Sequence, residues 1–167
     1  KAGSTMAVEQ VEALINRKYG GAWTLPFDVI NPTGADDYFV YVKNDHDTLW
    51  LAITQLVVES TVVGTVEIHR VTGTAASGTT ATPVSKQGDN RRAPNATFET
   101  GANITGLTDV GKLDWLAVGV VGTDYRATWV EHLLIPPTQA VALLWDTGTG
   151  ILTGAVHILE IPNIDAN

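Results

Sequence analysis

The sequence contains no cysteine, and this absence removes two kinds of structure at once. Disulfide frameworks and thiolate zinc sites both need cysteine side chains, so neither can hold this chain together. A chain of 167 residues suits one domain. A domain of this size buries roughly 70% of its unfolded surface, so it needs no such cross-links.

Basic residues are also scarce, with ten Lys or Arg against eighteen Asp or Glu and a formal charge of −8. An acidic chain repels phosphate backbones, so no nucleic-acid partner is expected. No apolar run approaches the ~20 residues that a membrane-spanning helix needs. No secretion signal is visible, so the sequence predicts neither a membrane partner nor export.

Methionine occurs only at Met6, and the residues before it resemble a cloning remnant, so we interpret Met6 as the native start. Residues 6–18 predict a short helix with an apolar stripe of Val8, Val11, Leu14 and Ile15. Gly20-Gly21 ends that pattern. Because so short a helix is marginal in water, we predict that this arm packs on a partner, outside its own β-domain.

Helical periodicity is missing after Gly21, where β-branched and aromatic residues recur between Gly, Pro, Asn and Asp turns. Without helices between the strands, a parallel α/β sheet is disfavoured. The sequence therefore predicts an arm over 1–22 and an all-β, antiparallel β-sandwich of eight or nine strands over 23–167. The predicted strands are 23–30, 38–43, 48–58, 65–71, 96–100, 113–121, 127–135, 140–145 and 155–161.

Residues 72–95 contain almost nothing that could enter a core, which predicts a long loop. Loops of this length in compact domains are usually functional or disordered. This one carries the basic pair Arg91-Arg92, which either meets a carboxylate on a partner or lies at a solvated loop tip. We therefore count both arginines among the candidate contact residues.

The stretch VALLWDTGTG (141–150) carries the Asp-Thr-Gly pattern of aspartic proteases at Asp146. In those enzymes two carboxylates share a proton, and in retroviral-type proteases each subunit of a dimer supplies one. Only 167 − 146 = 21 residues follow Asp146, too few for the flap and closing strand that this family needs. The sequence instead predicts that Asp146 caps a hairpin turn and has no catalytic role.

Other arrangements that carry chemistry are weak or missing. The four histidines are isolated, with neither His-x-His nor His-Glu-x-x-His among them, and the three in predicted strands, His69, His132 and His157, are expected to be outward or half-buried. Asp36-Asp37 and Asp45-His46-Asp47 would suit Ca²⁺, although acidic turn residues explain them equally. No nucleophile elbow or phosphate-binding loop is present. We therefore predict no catalytic residue, no metal and no cofactor.

Tryptophan is frequent, and four of the five lie in alternating apolar runs that predict core or subunit-interface packing. The exception is Trp23, which follows the Gly-Gly pair. We add it to the candidate contact residues for a subunit or partner surface.

From about residue 37 onward the order of elements resembles small jelly-roll structural proteins of tailed-phage virions. The resemblance rests on DDYFVYVKND followed by TLWLAIT, on GTVEIHRVTGT, on GANITGLTD and above all on HLLIPPTQAVALLWDTGTG. It implies a jelly-roll-like fold and a homotrimer on the capsid or in a fibre, without chemistry. The predicted N-terminal helix is not part of that pattern.

These observations lead to two functional hypotheses from different classes. The first is a phage capsid decoration (cement) protein, made in the host cytoplasm, that joins the virion and stabilises the head by bridging capsomers. Its partners would be copies of itself and the major capsid protein or another virion protein. The alternative is a carbohydrate- or receptor-binding module of a fibre or tail tip, which an exposed tryptophan beside an acidic loop would favour.

Overall fold

The computed structural model describes Ala13, Asn16, residues 21–87 and residues 93–161, apart from the side chains of residues 130–132. Over these residues the chain forms eleven strands. Their bounds are β1 Ala22–Ile30, β2 Asp37–Asn44, β3 Trp50–Ser60, β4 Gly64–Ala76, β5 Thr79–Thr80, β6 Val84–Ser85, β7 Ala96–Thr100, β8 Thr105–Val118, β9 Tyr125–Ile135, β10 Ala140–Trp145 and β11 Leu152–Ile161.

The strands form two sheets in which the paired strands run antiparallel. The first sheet has the order β6-β1-β11-β3-β9, and the second has the order β5-β7-β2-β10-β4-β8. The chain passes from one sheet to the other at every connection except β4–β5 and β7–β8, which stay within the second sheet. The predicted all-β, antiparallel two-sheet fold is therefore confirmed.

The core lies between the two sheets and is built from alternate residues of the strands. Phe27 of the first sheet and Phe39 of the second meet edge to face, with ring centroids 5.5 Å apart. Leu56, Ile68 and Leu143 are likewise buried from strands of both sheets. The alternation that predicted the strands arises because successive side chains of a strand point to opposite faces of its sheet.

The interval 72–95 differs from the long loop predicted for it. The strand β4 continues to Ala76 and pairs with β8, which begins at Thr105 rather than at residue 113. Gly73 and Gly106 make this extension possible, because both have positive φ and a Cβ on Gly73 would lie 2.4 Å from the Gly106 carbonyl oxygen. The short strands β5 and β6 also fall within the interval.

Most of the predicted N-terminal helix lies outside the described residues, so its docking on a partner stays a prediction. Ala13 and Asn16 line a cavity of about 230 Å³ together with Ala22 and Leu159 of the first sheet. These two residues of the arm therefore lie against their own β-domain. Within the described part of the chain, no helix is long and apolar enough to cross a membrane.

Candidate interaction surface

The two sides of the sandwich, where the edge strands lie, differ in the length of those strands. On one side the edges are β5 and β6, which have two residues each. On the other side the edges are β8 and β9, which have 14 and 11 residues. Because an edge strand carries unpaired backbone donors and acceptors, the side with β8 and β9 is more open to contact with another chain.

The backbone of the long edges is irregular. The pairing of β8 with β4 shifts at three places, and the pairing of β9 with β3 shifts between Ile53 and Gln55. Such bulges twist an edge strand and interrupt the row of backbone groups that an added strand would need. A partner on this side would therefore contact side chains rather than extend either sheet.

Exposed apolar side chains are concentrated along β8 and the turn that follows it. Among the described residues, five of the eleven exposed large apolar side chains lie between residues 110 and 121. We call these five residues the edge surface: Val110 (52% exposed), Leu113 (47%), Trp115 (58%), Val120 (58%) and Val121 (52%). Residues 115–123 also contain no charged side chain, so much of this surface is uncharged.

A packed layer supports the edge surface from behind. The indole Nε1 of Trp129 donates a hydrogen bond to Asp114, and the other carboxylate oxygen of Asp114 accepts one from the Trp115 backbone at 2.8 Å. Leu116, Tyr125 and Trp129 are partly buried against the main core. Because its neighbours are held in this way, Trp115 projects from a fixed base.

A network of charged side chains flanks the edge surface on the outer side of the second sheet. The two ring nitrogens of buried His69 lie 2.9 Å from a carboxylate oxygen of Glu67 and 2.9 Å from one of Asp109. Lys112 donates to the other oxygen of Glu67. Hydrogen bonds from Lys112 and His69 lower the pKa of Glu67, and the hydrogen bond from His69 lowers the pKa of Asp109.

These lowered pKa values predict acid sensitivity. A carboxylate with a lower pKa in the folded state stabilises the fold above its unfolded pKa, and this contribution is lost as pH falls through the folded value. For Glu67 and Asp109 the window therefore lies below their usual pKa values of 4.5 and 3.8. We expect Glu67→Gln to destabilise the protein at neutral pH and to do so progressively less as pH falls below 4.5, in urea unfolding curves recorded from neutral to acid pH. An equal effect of Glu67→Gln at both ends of the range would contradict the assigned network.

One end of the sandwich is strongly acidic. The register brings together residues 28–37, 59–64, 119–124 and 146–151, which we call the loop end. Hydrogen bonds join these segments, for example from Thr61 N to Ile151 O at 3.1 Å and from Gly122 N to Ser60 O at 3.1 Å. The loop end contains no Lys or Arg, and its six carboxylates belong to Asp28, Asp36, Asp37, Glu59, Asp124 and Asp146.

Asp146 lies at the loop end and organises the connection between β10 and β11. Because these two strands belong to different sheets, the connection passes between the sheets, and the prediction of a hairpin there is wrong. The predicted capping geometry is present: Oδ1 of Asp146 accepts hydrogen bonds from Thr65 N at 2.7 Å and from Thr147 Oγ1 at 2.9 Å. Asp146 therefore ties the start of β4 to the end of β10.

This geometry predicts how substitutions of Asp146 behave. Asp146→Asn keeps a side-chain oxygen that can accept from Thr65 N, so the free energy of unfolding should change little. Asp146→Ala leaves the Thr65 N–H without its side-chain acceptor and should cost about 1–2 kcal/mol. Chemical denaturation of both variants checks this order. Pepstatin-sensitive peptide cleavage by the wild type, abolished in Asp146→Asn, would instead restore the protease hypothesis.

In the two acidic loops considered for Ca²⁺, Asp37 and Asp45 bind groups of their own chain. Oδ2 of Asp37 accepts from Thr33 N at 3.0 Å and from Gly34 N at 2.6 Å. Asp45 pairs with Lys43 at 2.7 Å and accepts from Thr97 Oγ1 at 2.6 Å. Among the described residues no group of three or more metal-ligating side chains could hold an ion. The turn interpretation therefore explains Asp37 and Asp45.

The histidines of the described residues differ in their surroundings. His69 is more buried than predicted, since only 6% of it is exposed and two carboxylates flank it. His46 lies 2.8 Å from buried Glu160 and so ties the β2–β3 loop to the end of β11. His157 is half-buried on β11, and burial lowers its pKa, as do the charges of Lys86 and Arg126. The side chain of His132 is not described.

The candidate contact residues from the sequence fall into two groups. Trp23 is 1% exposed, so its prediction as a contact residue is wrong: its alternation with Leu25 and Phe27 along β1 turns it into the domain. The other candidates lie outside the described residues, and their roles stay predictions. They are Val8, Val11, Leu14, Ile15, Arg91 and Arg92.

Sequence reasoning missed the edge surface because the run LDWLAVGVV (113–121) has the composition of a buried strand. Trp115 is exposed because it points to the outer face of an edge strand, opposite Glu67, whereas Trp145 in a similar run points into the core opposite Val66. A weak signal was present in the sequence, since Gly119 and Gly122 bracket two valines in a stretch without charge.

Comparison of the chain with family models, with curated proteins and with solved structures finds no match in any of the three.

Proposed function

We propose that this chain is a non-enzymatic structural protein of a tailed-phage virion, of the head-decoration (cement) type. The observation that carries the proposal is the edge surface, where Leu113 and Trp115 stand exposed on a long edge strand of a well-packed domain. Contiguous apolar patches on soluble proteins mark interaction sites more often than chance. A domain with such a surface is suited to assembly with other chains.

The strand order supports a jelly-roll arrangement. Eight strands remain when β5, β6 and β7 are set aside, and they lie in the orders β1-β11-β3-β9 and β2-β10-β4-β8. If these eight strands are renumbered 1 to 8 along the chain, the two orders become 1-8-3-6 and 2-7-4-5. Strand 1 then pairs with strand 8 and strand 2 with strand 7, as in a jelly roll of two Greek keys. Viral capsid domains and lectins both use this architecture, so the fold agrees with either hypothesis and decides neither.

In the proposed role the protein binds its shell through the loop end and other copies of itself, as a trimer, through apolar side chains. The acidic loop end is complementary to a basic surface on the major capsid protein or another virion protein. Exposed Val63 and Ile151 would supply apolar contact among the carboxylates. Binding to the assembled shell but not to free subunits would stabilise the head by mass action.

Co-sedimentation with purified tailed-phage heads that lack decoration protein tests this role. We expect saturable binding that weakens at least tenfold in a variant with Asp36→Lys and Asp124→Lys, because both exposed carboxylates belong to the loop end. Asp47→Lys, at an exposed carboxylate of the β2–β3 loop at the opposite end, is the control, and each single loop-end substitution is compared with it. Absence of binding to any head, or equal loss in the control, would contradict the decoration role.

The exposed ring of Trp115 is the one observation that favours the alternative, a carbohydrate-binding module. It lies opposite Glu67 in the β4–β8 pairing, and a sugar could stack on the indole while charged groups bind its hydroxyls. A glycan array followed by fluorescence titration distinguishes the two hypotheses. Saturable glycan binding that Trp115→Ala abolishes, without binding to heads, would replace the decoration role with this one.

A further inference from the structure

We propose that the edge surface binds a second copy of this chain, by packing of side chains and not by addition of a strand. The inference rests on the proposed function, for which it identifies the partner at this surface. Three properties of the described residues lead to it: the amount of exposed apolar area, the distribution of charge, and the shape of β8.

The exposed apolar area is sufficient for one protein contact. The exposed fractions of Val110, Leu113, Trp115, Val120 and Val121 correspond to an area on the order of 500 Å². A standard interface buries about 800 Å² per partner, of which somewhat more than half is apolar. The edge surface therefore matches the apolar share of one ordinary interface, with the large indole of Trp115 as its anchor.

The charge distribution selects a copy of the chain as the occupant. Two copies that each carry −8 repel one another, so they can approach only where the surface is locally neutral. The uncharged stretch 115–123 meets this condition, whereas the loop end, with six carboxylates, would repel its own copy. A basic partner would gain nothing from the uncharged stretch and is better matched by the loop end.

The shape of β8 favours a closed assembly. Trp115 projects from the outer face of β8, where its register partner is Glu67, so its indole can pack among side chains of a second copy. Bulges interrupt the pairing of β8, so strands of further copies cannot add to it without limit. The contact between copies therefore closes into a small symmetric oligomer.

Light scattering of the full chain after size-exclusion chromatography tests the inference. At micromolar concentration we expect the mass of an oligomer, which is two or more times the 17.8 kDa of one chain. Leu113→Asp places a charge in the contact and should raise the apparent dissociation constant at least tenfold. Val84→Asp is the matched control, because Val84 is equally exposed (50%) but lies on β6 at the opposite side, and it should leave the mass unchanged.

Cross-linking gives a second measurement that does not depend on weakening the assembly. The chain has no cysteine, so Leu113→Cys carries the only thiol, and a short bismaleimide should join two copies through it. Val84→Cys should remain uncrosslinked under the same conditions. A wild type that stays monomeric at tens of micromolar, or a Leu113→Asp variant of unchanged mass, would overturn the inference. Head binding by a monomeric wild type would overturn it while leaving the decoration role intact.

Discussion

Replacing Trp145 with alanine is expected to lower the free energy of unfolding by about 3–5 kcal/mol, the range for truncating a large buried aromatic residue. Trp145 is fully buried at the end of β10, and its Nε1 donates to Thr149 O at 2.9 Å. Its ring also occupies the space beside Gly64, where a Cβ would lie 2.6 Å from it. Alanine would leave a cavity that these neighbours cannot fill without moving the β10–β11 connection.

Urea unfolding followed by far-ultraviolet circular dichroism measures this loss without using tryptophan fluorescence. Trp50→Ala is the matched control, since Trp50 begins β3 with 39% of its surface exposed and should cost much less. Trp145→Phe keeps a ring but loses the hydrogen bond to Thr149, so it should fall between wild type and Trp145→Ala. Equal midpoints for Trp145→Ala and Trp50→Ala would show that Trp145 is not the core residue described.

The contrast between these two tryptophans shows how far the sequence could predict the fold. Alternation and turn residues predicted every long strand, because period-two patterns report directly on burial at a sheet face. They did not separate Trp145 from Trp115, since Trp145 points into the core opposite Val66 whereas Trp115 points to the outer face of an edge strand opposite Glu67. Strand order is set by contacts between residues far apart in the chain, which no local pattern contains.

The same limit explains the errors at the candidate site. The sequence predicted Gly73 in a long loop and no strand at Gly106, but both glycines permit the close approach that lengthens β4 and β8. The DTGTG stretch predicted a turn correctly but not its partners, because a hairpin and a connection between sheets use the same turn residues. The edge surface therefore became visible only when β8 was placed at the edge of the second sheet.

The close approach of β11 to its neighbours gives the second large expected effect. A Cβ on Gly154 would lie 2.0 Å from the carbonyl oxygen of Val57 and 2.8 Å from a ring carbon of Phe27. Because the first obstacle is the backbone of a paired strand, it cannot move away without breaking the β11–β3 register. We expect Gly154→Ala to destabilise the domain by about 3 kcal/mol, at the upper end of the range for overpacking.

Thermal and urea unfolding of Gly154→Ala measure this effect, and Gly119→Ala is the matched control. A Cβ on Gly119 would have the Tyr125 hydroxyl as its nearest neighbour at 3.5 Å, an ordinary contact, so this variant should stay within about 0.5 kcal/mol of the wild type. The difference between the two variants then isolates the close packing of β11 between β1 and β3. Two variants of equal stability would mean that these strands lie further apart, and the position of β11 in the first sheet would have to be revised.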